Sequence, residues 1–454
     1  MERTERKARW FGPILAAIAI TGLLVRVLYV LLERRDIAFV GDAYFYHAGA
    51  NLLADGKGFI SPYAYADGQV MQAADHPPLY IIFLAVPSLL RMTSVMTHLV
   101  WSCLLGTATI IVVGYLGRTV ANERAGILAA AVAAVYPGFW AFDGSLQAET
   151  LAVFATALVL LFSYRFWRKP SGPRMVAVGV ACGAAALARS ELILLVPLLV
   201  APLGLLVRSA AFRRRARLVA VGAAAALVVI APWVGYNIVR FRHPVYLSSQ
   251  FDSLLASANC DSVYYGPGTG YFSIPCAAAV AKRHHLTNEM DESEQAIVFR
   301  RAAVEYIRDH QSRLPIVAAA RVGRILGVFH PSHQLAADVV VDGREVPVSR
   351  AALFSFYALT LLSFAGVIVL RRRGAAPVFP LIAVLVMVVL TVALTYGDTR
   401  FRAPAEVVLA ILAAVAVDAG ISAVSARRRD RHDQAGPGAI GDTESGFVRV
   451  SEPR

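Results

Sequence analysis

Residues 41–80 read GDAYFYHAGANLLADGKGFISPYAYADGQVMQAADHPPLY and lie between two strongly apolar segments. A polar stretch in that position must leave the bilayer, because charged side chains and unpaired backbone are costly in hydrocarbon. A carboxylate, aromatic rings and an imidazole at a membrane boundary suit the binding of the polar end of a lipid. The side chains of these kinds that we single out are Asp42, Tyr44, Tyr46, Asp75 and His76.

The rest of the chain has the composition of a membrane protein. Hydrophobic residues make up 57% of the sequence, the mean hydropathy is +0.58, and the apolar residues come in long blocks. Because about 20 apolar residues in a helix span the hydrocarbon core, we predict an all-α polytopic protein with about 10–12 transmembrane helices. The apolar segments are 11–32, 78–92, 97–117, 124–141, 148–164, 175–188, 191–207, 216–237, 351–370, 376–396 and 404–425.

Basic residues predict the orientation of these helices. The formal net charge is +13, but arginines cluster in short loops between apolar blocks. Such loops stay in the cytoplasm, so the charge indicates a multi-pass protein of the plasma (inner) membrane and no nucleic-acid partner. Four apolar segments lie between the first outer loop and Arg165, where this orientation requires an odd number. Either 78–92 or 124–141 does not cross, or a basic loop lies outside.

We divide the chain into four parts. A transmembrane module at 1–237 includes the large outer loop 34–76, and an extracytoplasmic region with short and interfacial helices follows at 238–350. C-terminal transmembrane helices occupy 351–425. The polar cytoplasmic tail at 426–454 lacks apolar periodicity, so we predict that it is disordered.

Two features of the region 238–350 carry structural predictions. Cys260 and Cys276 share one outer loop, where an oxidising compartment favours a disulfide, and two free thiols are the alternative. The apolar stretch 314–329 is interrupted by Arg321 and Arg324, which share one helix face. A membrane span would not hold two arginines cheaply, so we interpret it as an amphipathic helix at the outer interface with its arginines toward lipid headgroups.

Three residues of the transmembrane module are candidates for catalysis. Asp42 lies within reach of an outer-face substrate and could accept a proton from a hydroxyl, although a solvated loop carboxylate has the same pattern. His76 could take part or could cap the helix that two prolines begin. Glu149 lies between two apolar blocks, so it faces a cavity or a partner, unless it only favours a helix N-terminus.

Three arginines and the missing motifs narrow the range of possible chemistry. Arg400 and Arg402 lie on the outer face against the orientation bias, so an anion should hold them, either the phosphate of a lipid substrate or ordinary headgroups. Arg189 could bind substrate or pair locally with Glu191. The sequence has no nucleotide-binding loop and no clustered metal-binding motif, which argues against an ATP-driven pump.

The order of the motifs resembles a known family. His-Pro-Pro-Leu-Tyr at 76–80 is followed by Ser-Leu-Gln-Ala-Glu at 145–149, Ala-Arg-Ser-Glu at 188–191 and Tyr-Gly-Asp-Thr-Arg-Phe-Arg-Ala-Pro-Ala-Glu at 396–406. This order resembles the membrane glycosyltransferases of the GT-C superfamily. Within it, the chain is similar to the bacterial family 39 branch of protein O-mannosyltransferases and aminoarabinose transferases.

The resemblance implies a polyprenyl-phosphate-linked sugar donor and an acceptor hydroxyl on a cell-envelope glycan, lipid or protein. Asp42 would be the base, Glu149 a second carboxylate, and Asp75 and His76 would line the sugar pocket. The donor phosphate would be held by arginines, for which the candidates are Arg321, Arg324, Arg400 and Arg402. The family's acidic pair is interrupted by Ala43, so we expect no metal cofactor, with a divalent metal left as an alternative.

A sugar on a lipid phosphate is already activated, so the protein has to orient the acceptor, take its proton and stabilise the departing phosphate. We therefore predict a glycosyltransferase, a mannosyl- or arabinosyltransferase among the options. The alternative is a flippase or carrier of lipid-linked sugars without catalysis, which would place polar residues along a path at the bilayer midplane.

Overall fold

The computed structural model describes residues 2–35, 40–207, 210–287, 289–374 and 376–434, and these residues form helices and loops with one isolated β-bridge, Ile60 to Gln72. The N-terminal half contains α1 Glu2–Glu33, α2 Asp42–Ala54, α3 Pro62–Ala66, α4 Leu79–Leu89, α5 Val95–Val120, α6 Glu123–Val135, α7 Pro137–Asp143, α8 Glu149–Arg168, α9 Gly172–Ala188, α10 Ala201–Leu205 and α11 Phe212–Arg240. A 3-10 turn at Ser190–Leu194 and a π-helical turn at Val196–Val200 connect α9 to α10.

The second half begins with residues 238–350, for which the sequence predicts an extracytoplasmic location and which we call the outer region. It contains α12 Gln250–Ser257, α13 Asp261–Tyr264, α14 Ile274–Arg283, α15 Glu292–Asp309, α16 Leu314–Ile325 and α17 Pro331–Val340. The last helices are α18 Val346–Arg373, α19 Phe379–Leu394 and α20 Ala403–Gln434, with a 3-10 turn at Thr399–Arg402 before α20. Because α20 continues past residue 426, the predicted disorder does not begin there, and residues 435–454 lie outside the described residues.

The predicted all-α polytopic architecture is confirmed. Within the described ranges, six helices are long and apolar enough to span a membrane, and the pair α6–α7, bent by 52°, makes a seventh if it is one span. Shorter apolar helices are α4, α9, α19 and the stretch Ser190–Leu205. The six or seven long spans are fewer than the predicted 10–12, and α9, α19 and the stretch Ser190–Leu205 are the further candidates for crossings.

The shortness of helix α4 explains why four apolar segments precede Arg165, although the predicted orientation requires an odd number of crossings. It has 11 residues, so at 1.5 Å per residue it is about 16 Å long, roughly half the hydrocarbon thickness. It packs against α2 of the outer loop instead of spanning. The segments that remain between this loop and Arg165 are α5, the bent pair α6–α7 and α8, which is an odd number.

Small residues let the long helices approach closely. A Cβ at Gly179 of α9 would overlap the Gly222 carbonyl of α11, and one at Gly366 of α18 would overlap the Leu412 carbonyl of α20. Membrane helices lack a hydrophobic drive toward one another, so close backbone packing of this kind is what holds them together.

A buried ion pair fixes the bend between α6 and α7. Pro137 begins α7 without a backbone N–H, so carbonyls at the end of α6 lose their helical partners. The Arg26 guanidinium of α1 donates to the carbonyls of Ala133 (3.0 Å) and Ala134 (3.2 Å) and pairs with Asp143 at 2.6 Å. This cluster ties α1 to the segment that leads into Glu149.

The outer region contains the predicted cystine and a helix at the predicted place, but the arginines of that helix do not point as predicted. Cys260 and Cys276 are joined by a disulfide. Helix α16 turns its arginines inward, where Arg321 is 3% and Arg324 0% exposed, so the interpretation that they face lipid headgroups is wrong. They donate instead to backbone carbonyls of other segments, and buried carbonyls need such partners. The acceptors are Ala258 and Ala393 for Arg321 and Pro267 and Thr269 for Arg324.

The ion pair of Arg26 with Asp143 gives a test of the fold. We expect Asp143→Asn to lower the free energy of unfolding by about 3–5 kcal/mol, because it leaves a guanidinium buried without its counter-charge. The measurement is thermal or denaturant unfolding in detergent. Arg26→Met combined with Asp143→Leu should lose much less, since it removes both charges. An Asp143→Asn variant as stable as the parent would contradict this role.

Candidate functional site

Arg400, in the turn before α20, brings together carboxylates from distant parts of the chain. Its Nη2 atom lies 2.6 Å from Oδ2 of Asp42 at the start of α2. Its Nε atom lies 3.1 Å from Oε1 of Glu149, the first residue of α8. The turn itself is fixed by Asp398, whose carboxylate accepts a hydrogen bond from the Arg400 backbone N–H at 3.1 Å. Arg400 therefore lies where three sequence motifs meet.

Arg189 joins the same cluster from the end of α9. Its guanidinium pairs with Glu149 and donates from Nε to Glu191 at 2.5 Å, so it forms both the local pair and a contact with a predicted site residue. It also lies over the Phe401 ring, 5.0 Å from the centroid. Glu149 is thus held by two arginines, and its Oε2 has no hydrogen-bond partner among the described residues.

His76 lies on the other side of Asp42. Its Nε2 is 3.4 Å from Asp42 Oδ1, and its ring packs against Tyr46 with centroids 4.7 Å apart. The residue that precedes α4 is Pro78, with no side-chain cap, so His76 does not cap that helix. Burial raises the pKa of the Asp42 carboxyl, but Arg400 and His76 together lower it more, and the resulting pKa lies well below the usual value. Asp42 is therefore an ionised, firmly paired carboxylate.

The two tyrosines of the first loop have different surroundings. Tyr46 is buried between His76 and Tyr80, whose ring centroid is 5.0 Å away. Tyr44 is half-buried and packs against Tyr63 at 5.1 Å, away from Arg400. Of the two, Tyr46 lies at the cluster.

Asp75 fastens the first loop to the outer region instead of joining this cluster. Its carboxyl shares a hydrogen bond with Glu292 of α15. Oε2 of Glu292 also accepts from the Ala74 backbone N–H and from Ser249 Oγ, both at 2.7 Å. Burial raises the pKa of both carboxyl groups, and the Asp75 charge adds to the rise in Glu292. Two carboxyl groups bond to each other only when one is protonated.

A cavity of about 750 Å³ opens beside the cluster. Its polar end contains His76, Arg189 and Arg400, with Tyr46 between them. Its other walls are largely apolar and come from the turn after α9, the stretch 243–254, α15 and the end of α19. The apolar lining includes Leu194, Val245, Leu254, Ile297 and Leu394.

The other predicted arginines do not line this cavity. Arg402 is buried, pairs with Glu406 at 2.5 Å and lies over the Phe356 ring at 4.1 Å. Arg321 and Arg324 are engaged with the backbone carbonyls described above. Arg300 of α15 does line the cavity and pairs with Asp252 at 2.7 Å. No sequence motif had indicated this residue.

A comparison with known families identifies the segment that supplies most of this site. The model of the dolichyl-phosphate-mannose-protein mannosyltransferase family matches residues 75–236. Over these residues, which are less than half of the chain, the sequence is similar to that family. The matched segment contains His76, Glu149 and Arg189, and the match confirms the GT-C resemblance that the motifs indicate.

Two solved structures of one enzyme share the fold of this chain. The archaeal oligosaccharyltransferase AglB from Archaeoglobus fulgidus, in complex with an inhibitory peptide and a dolichol-phosphate, superposes with a TM-score of 0.55 at 18% identity over 98% of this chain and 53% of that chain. The same enzyme with a tethered acceptor peptide gives 0.56 at 16% identity, over 92% and 50%. The chain spans about half the length of AglB.

The chain was also compared with one further enzyme of solved structure and with curated protein sequences. ArnT from Cupriavidus metallidurans bound to undecaprenyl phosphate gives a TM-score of 0.44 at 17% identity, over 90% of this chain and 78% of that chain. No curated protein sequence matches the chain.

The carboxyl pair of Asp75 and Glu292 makes a pH prediction. A raised pKa means that the folded state binds more protons, so its stabilising contribution is complete below the ordinary carboxyl range near pH 4 and is lost as pH rises toward the raised pKa. We expect the unfolding temperature of the parent to fall from pH 5 to pH 8 more steeply than that of Glu292→Gln. Each unit of pKa shift corresponds to about 1.4 kcal/mol.

Glu294→Gln is the matched control on the same helix. Its pKa is lowered by hydrogen bonding to Arg242, the opposite direction, so this variant should not flatten the slope. Equal slopes for the parent and Glu292→Gln would exclude a shared proton between the two carboxyl groups.

Proposed function

We propose that this protein is a membrane glycosyltransferase that moves a sugar from a polyprenyl-phosphate donor to an acceptor hydroxyl. The observation that carries the proposal is the cavity with two guanidinium groups at its polar end, an apolar lining, and Asp42 on the far side of Arg400. A lipid-linked phosphate has the same division into an anionic head and an apolar tail.

The family similarity and the fold support the choice of donor. The matched family is named for dolichyl-phosphate-mannose, and the AglB structure holds a dolichol-phosphate. The first is a sugar linked through phosphate to a polyprenyl chain, and the second is the polyprenyl phosphate without a sugar. We assign the same chemical class of donor to this chain, with the cavity as its binding site.

Arg189 and Arg400 would hold the donor phosphate. Guanidinium groups bind phosphate oxygens with paired, charge-assisted hydrogen bonds. Arg400 is now held by Asp42 and Glu149, so an arriving phosphate competes with these carboxylates for the same donors. Glu149 touches both arginines and sets their spacing, so we assign it a positioning role, whereas the sequence had suggested a catalytic one.

Asp42 is the proposed general base. While Arg400 holds it, its low pKa makes it a weak base. When the donor phosphate draws Arg400 away, the pKa of Asp42 rises toward its ordinary value and the carboxylate becomes a better proton acceptor. Proton acceptance then depends on the presence of donor. His76, 3.4 Å from Asp42, keeps the carboxylate oriented.

The reaction follows from these positions. The acceptor oxygen forms a bond to the anomeric carbon as the bond from that carbon to the phosphate oxygen breaks. The hydroxyl proton passes to Asp42, and the electron pair leaves on the polyprenyl phosphate. The two arginines stabilise the phosphate charge that develops.

The arginine clusters support an extracytoplasmic site. Arg168 donates to the Thr119 carbonyl, so the C-terminal ends of α5 and α8 lie together, opposite to Glu149 at the start of α8. Basic residues concentrate at the C-terminal ends of α5 and α8, and the positive-inside rule assigns that side to the cytoplasm. We propose that the site faces outward from the plasma membrane. It needs both the module 1–237, which supplies Asp42, His76 and Glu149, and the C-terminal part 351–425, which contains Arg400.

The test is transfer by Asp42→Asn. Membranes from a deletion strain carrying each variant are supplied with a radiolabelled polyprenyl-phosphate sugar, and label in cell-envelope material is counted. Loss of a general base lowers turnover about 10²–10⁴-fold. We expect that loss for Asp42→Asn, with donor binding retained because Arg189 and Arg400 remain.

Asp55→Asn is the control, since this acid at the end of α2 is half exposed and lies 3.8 Å from Arg91 on the surface. It should transfer at the parental rate. Normal transfer by Asp42→Asn would remove the proposed base, and would favour a carrier that moves the lipid-linked sugar without chemistry.

A further inference from the structure

Three buried carboxylates lie close together near Arg400, and none of them lines the cavity described above. They are Asp338 at the end of α17, Asp342 in the loop after it and Asp398 in the turn before α20. One oxygen from each lies within 4.8 Å of the other two, and all three residues are buried. Oxygens around one hard cation at about 2.0–2.6 Å stand at such separations from one another.

The charges around this cluster do not balance. Arg344 Nη2 lies 3.0 Å from Asp342 Oδ2, and Arg400 Nη1 lies 3.9 Å from Asp342 Oδ1. Arg400 already pairs closely with Asp42 and Glu149, so Arg344 is the nearest dedicated counter-charge among the described residues. Three carboxylates against one guanidinium leave two negative charges, and buried charges require compensation.

The neutral contacts do not supply that charge. Asp338 accepts from Thr399 Oγ1 at 2.8 Å, and Asp398 accepts from the Tyr271 hydroxyl at 3.5 Å. These donors orient the carboxylates without neutralising them. A carboxylate has about four lone-pair sites, so these hydrogen bonds leave sites open to a ligand.

A buried amide provides an independent sign of a missing ligand. Gln334 of α17 is 2% exposed, and its Nε2 donates to Asp338 Oδ1 at 3.1 Å, which places the amide against the cluster. Its Oε1 has no hydrogen-bond partner in the described part of the chain, and the two Oδ atoms of Asp342 accept no hydrogen bond there, although they form ion pairs with Arg344 and Arg400. Buried polar atoms rarely lack partners. The unpartnered atoms of the amide and of the carboxylate are oxygens, which a cation would satisfy, whereas the unpartnered Nε and Nη2 of Arg344 lie on the guanidinium that faces Asp342.

We propose that Asp338, Asp342 and Asp398, with the Gln334 side-chain oxygen, bind one divalent cation. Carboxylate and amide oxygens favour Mg²⁺, Mn²⁺ or Ca²⁺, whereas the nitrogen and sulfur ligands typical of Zn²⁺ are missing from this set. This site goes beyond the transfer chemistry proposed above and does not depend on it.

The cation would influence Arg400 through Asp342, which lies near the Arg400 Nη1 atom. The guanidinium faces Asp42 through Nη2, Glu149 through Nε and Asp342 through Nη1. A cation that neutralises Asp342 removes one of the three carboxylates competing for Arg400. It also links the outer loop after α17 to the turn before α20. Its role is therefore to fix the position of Arg400 and of the outer loop.

Terbium luminescence tests the site directly, with no need for a sugar substrate. The purified full-length protein in detergent is titrated with Tb³⁺ under tyrosine excitation, since Tyr271 contacts Asp398 and can sensitise a bound ion. We expect saturable emission that Mn²⁺ and Ca²⁺ reduce by competition. Asp342→Asn should weaken binding at least tenfold. Asp261→Asn, an outer-region carboxylate bonded to Tyr306, should bind as the parent does.

A second variant keeps the test decisive if Asp342→Asn does not fold. Gln334→Glu adds a fourth carboxylate and should tighten Mn²⁺ binding. Mn²⁺ should also raise the unfolding temperature of the parent, because a ligand of the folded state stabilises it. No saturable emission from the parent, equal emission from Asp342→Asn, or unchanged Mn²⁺ affinity in Gln334→Glu would each overturn the proposal.

Discussion

The structure around the site depends on one buried guanidinium. Arg400 lies among carboxylates that the chain places far apart, at the starts of α2 and α8 and in the loop after α17. A buried charge is tolerated only with close partners, and removal of one partner of a buried pair is expensive. The convergence of the first outer loop, the transmembrane module and the last helices therefore has an electrostatic cause as well as a packing one.

The same rule operates deeper in the membrane part. Arg26 of α1 satisfies the carbonyls freed by the bend between α6 and α7 and pairs with Asp143. The segment after Asp143 runs directly into Glu149, so this inner pair supports the position of a carboxylate that holds both Arg189 and Arg400. Arg26 thus supports the segment that leads into α8, while Arg189 and Arg400 pair with the first residue of that helix.

The sequence predicted the membrane character and most of the residues that meet at Arg400. Short motifs with polar residues at the ends of apolar blocks selected Asp42, His76, Glu149, Arg189 and Arg400, and a charge at bilayer depth has few places to go except toward a partner. The sequence could not separate these from Arg321 and Arg324, because the carbonyls that these two arginines satisfy come from distant loops. For the same reason it paired neither Asp75 with Glu292 nor Arg26 with Asp143. The Asp338, Asp342 and Asp398 group combines two segments about 60 residues apart with no local spacing that indicates a metal site.

The most direct test of the account is a structure of the protein in a lipid nanodisc with a bound polyprenyl phosphate. We expect the phosphate in the cavity beside His76, with its oxygens at about 2.7–2.9 Å from the guanidinium nitrogens of Arg400 or Arg189. The contact of Arg400 with Asp42, 2.6 Å without ligand, should then be longer. A phosphate bound elsewhere while Arg400 remains against Asp42 would contradict the account.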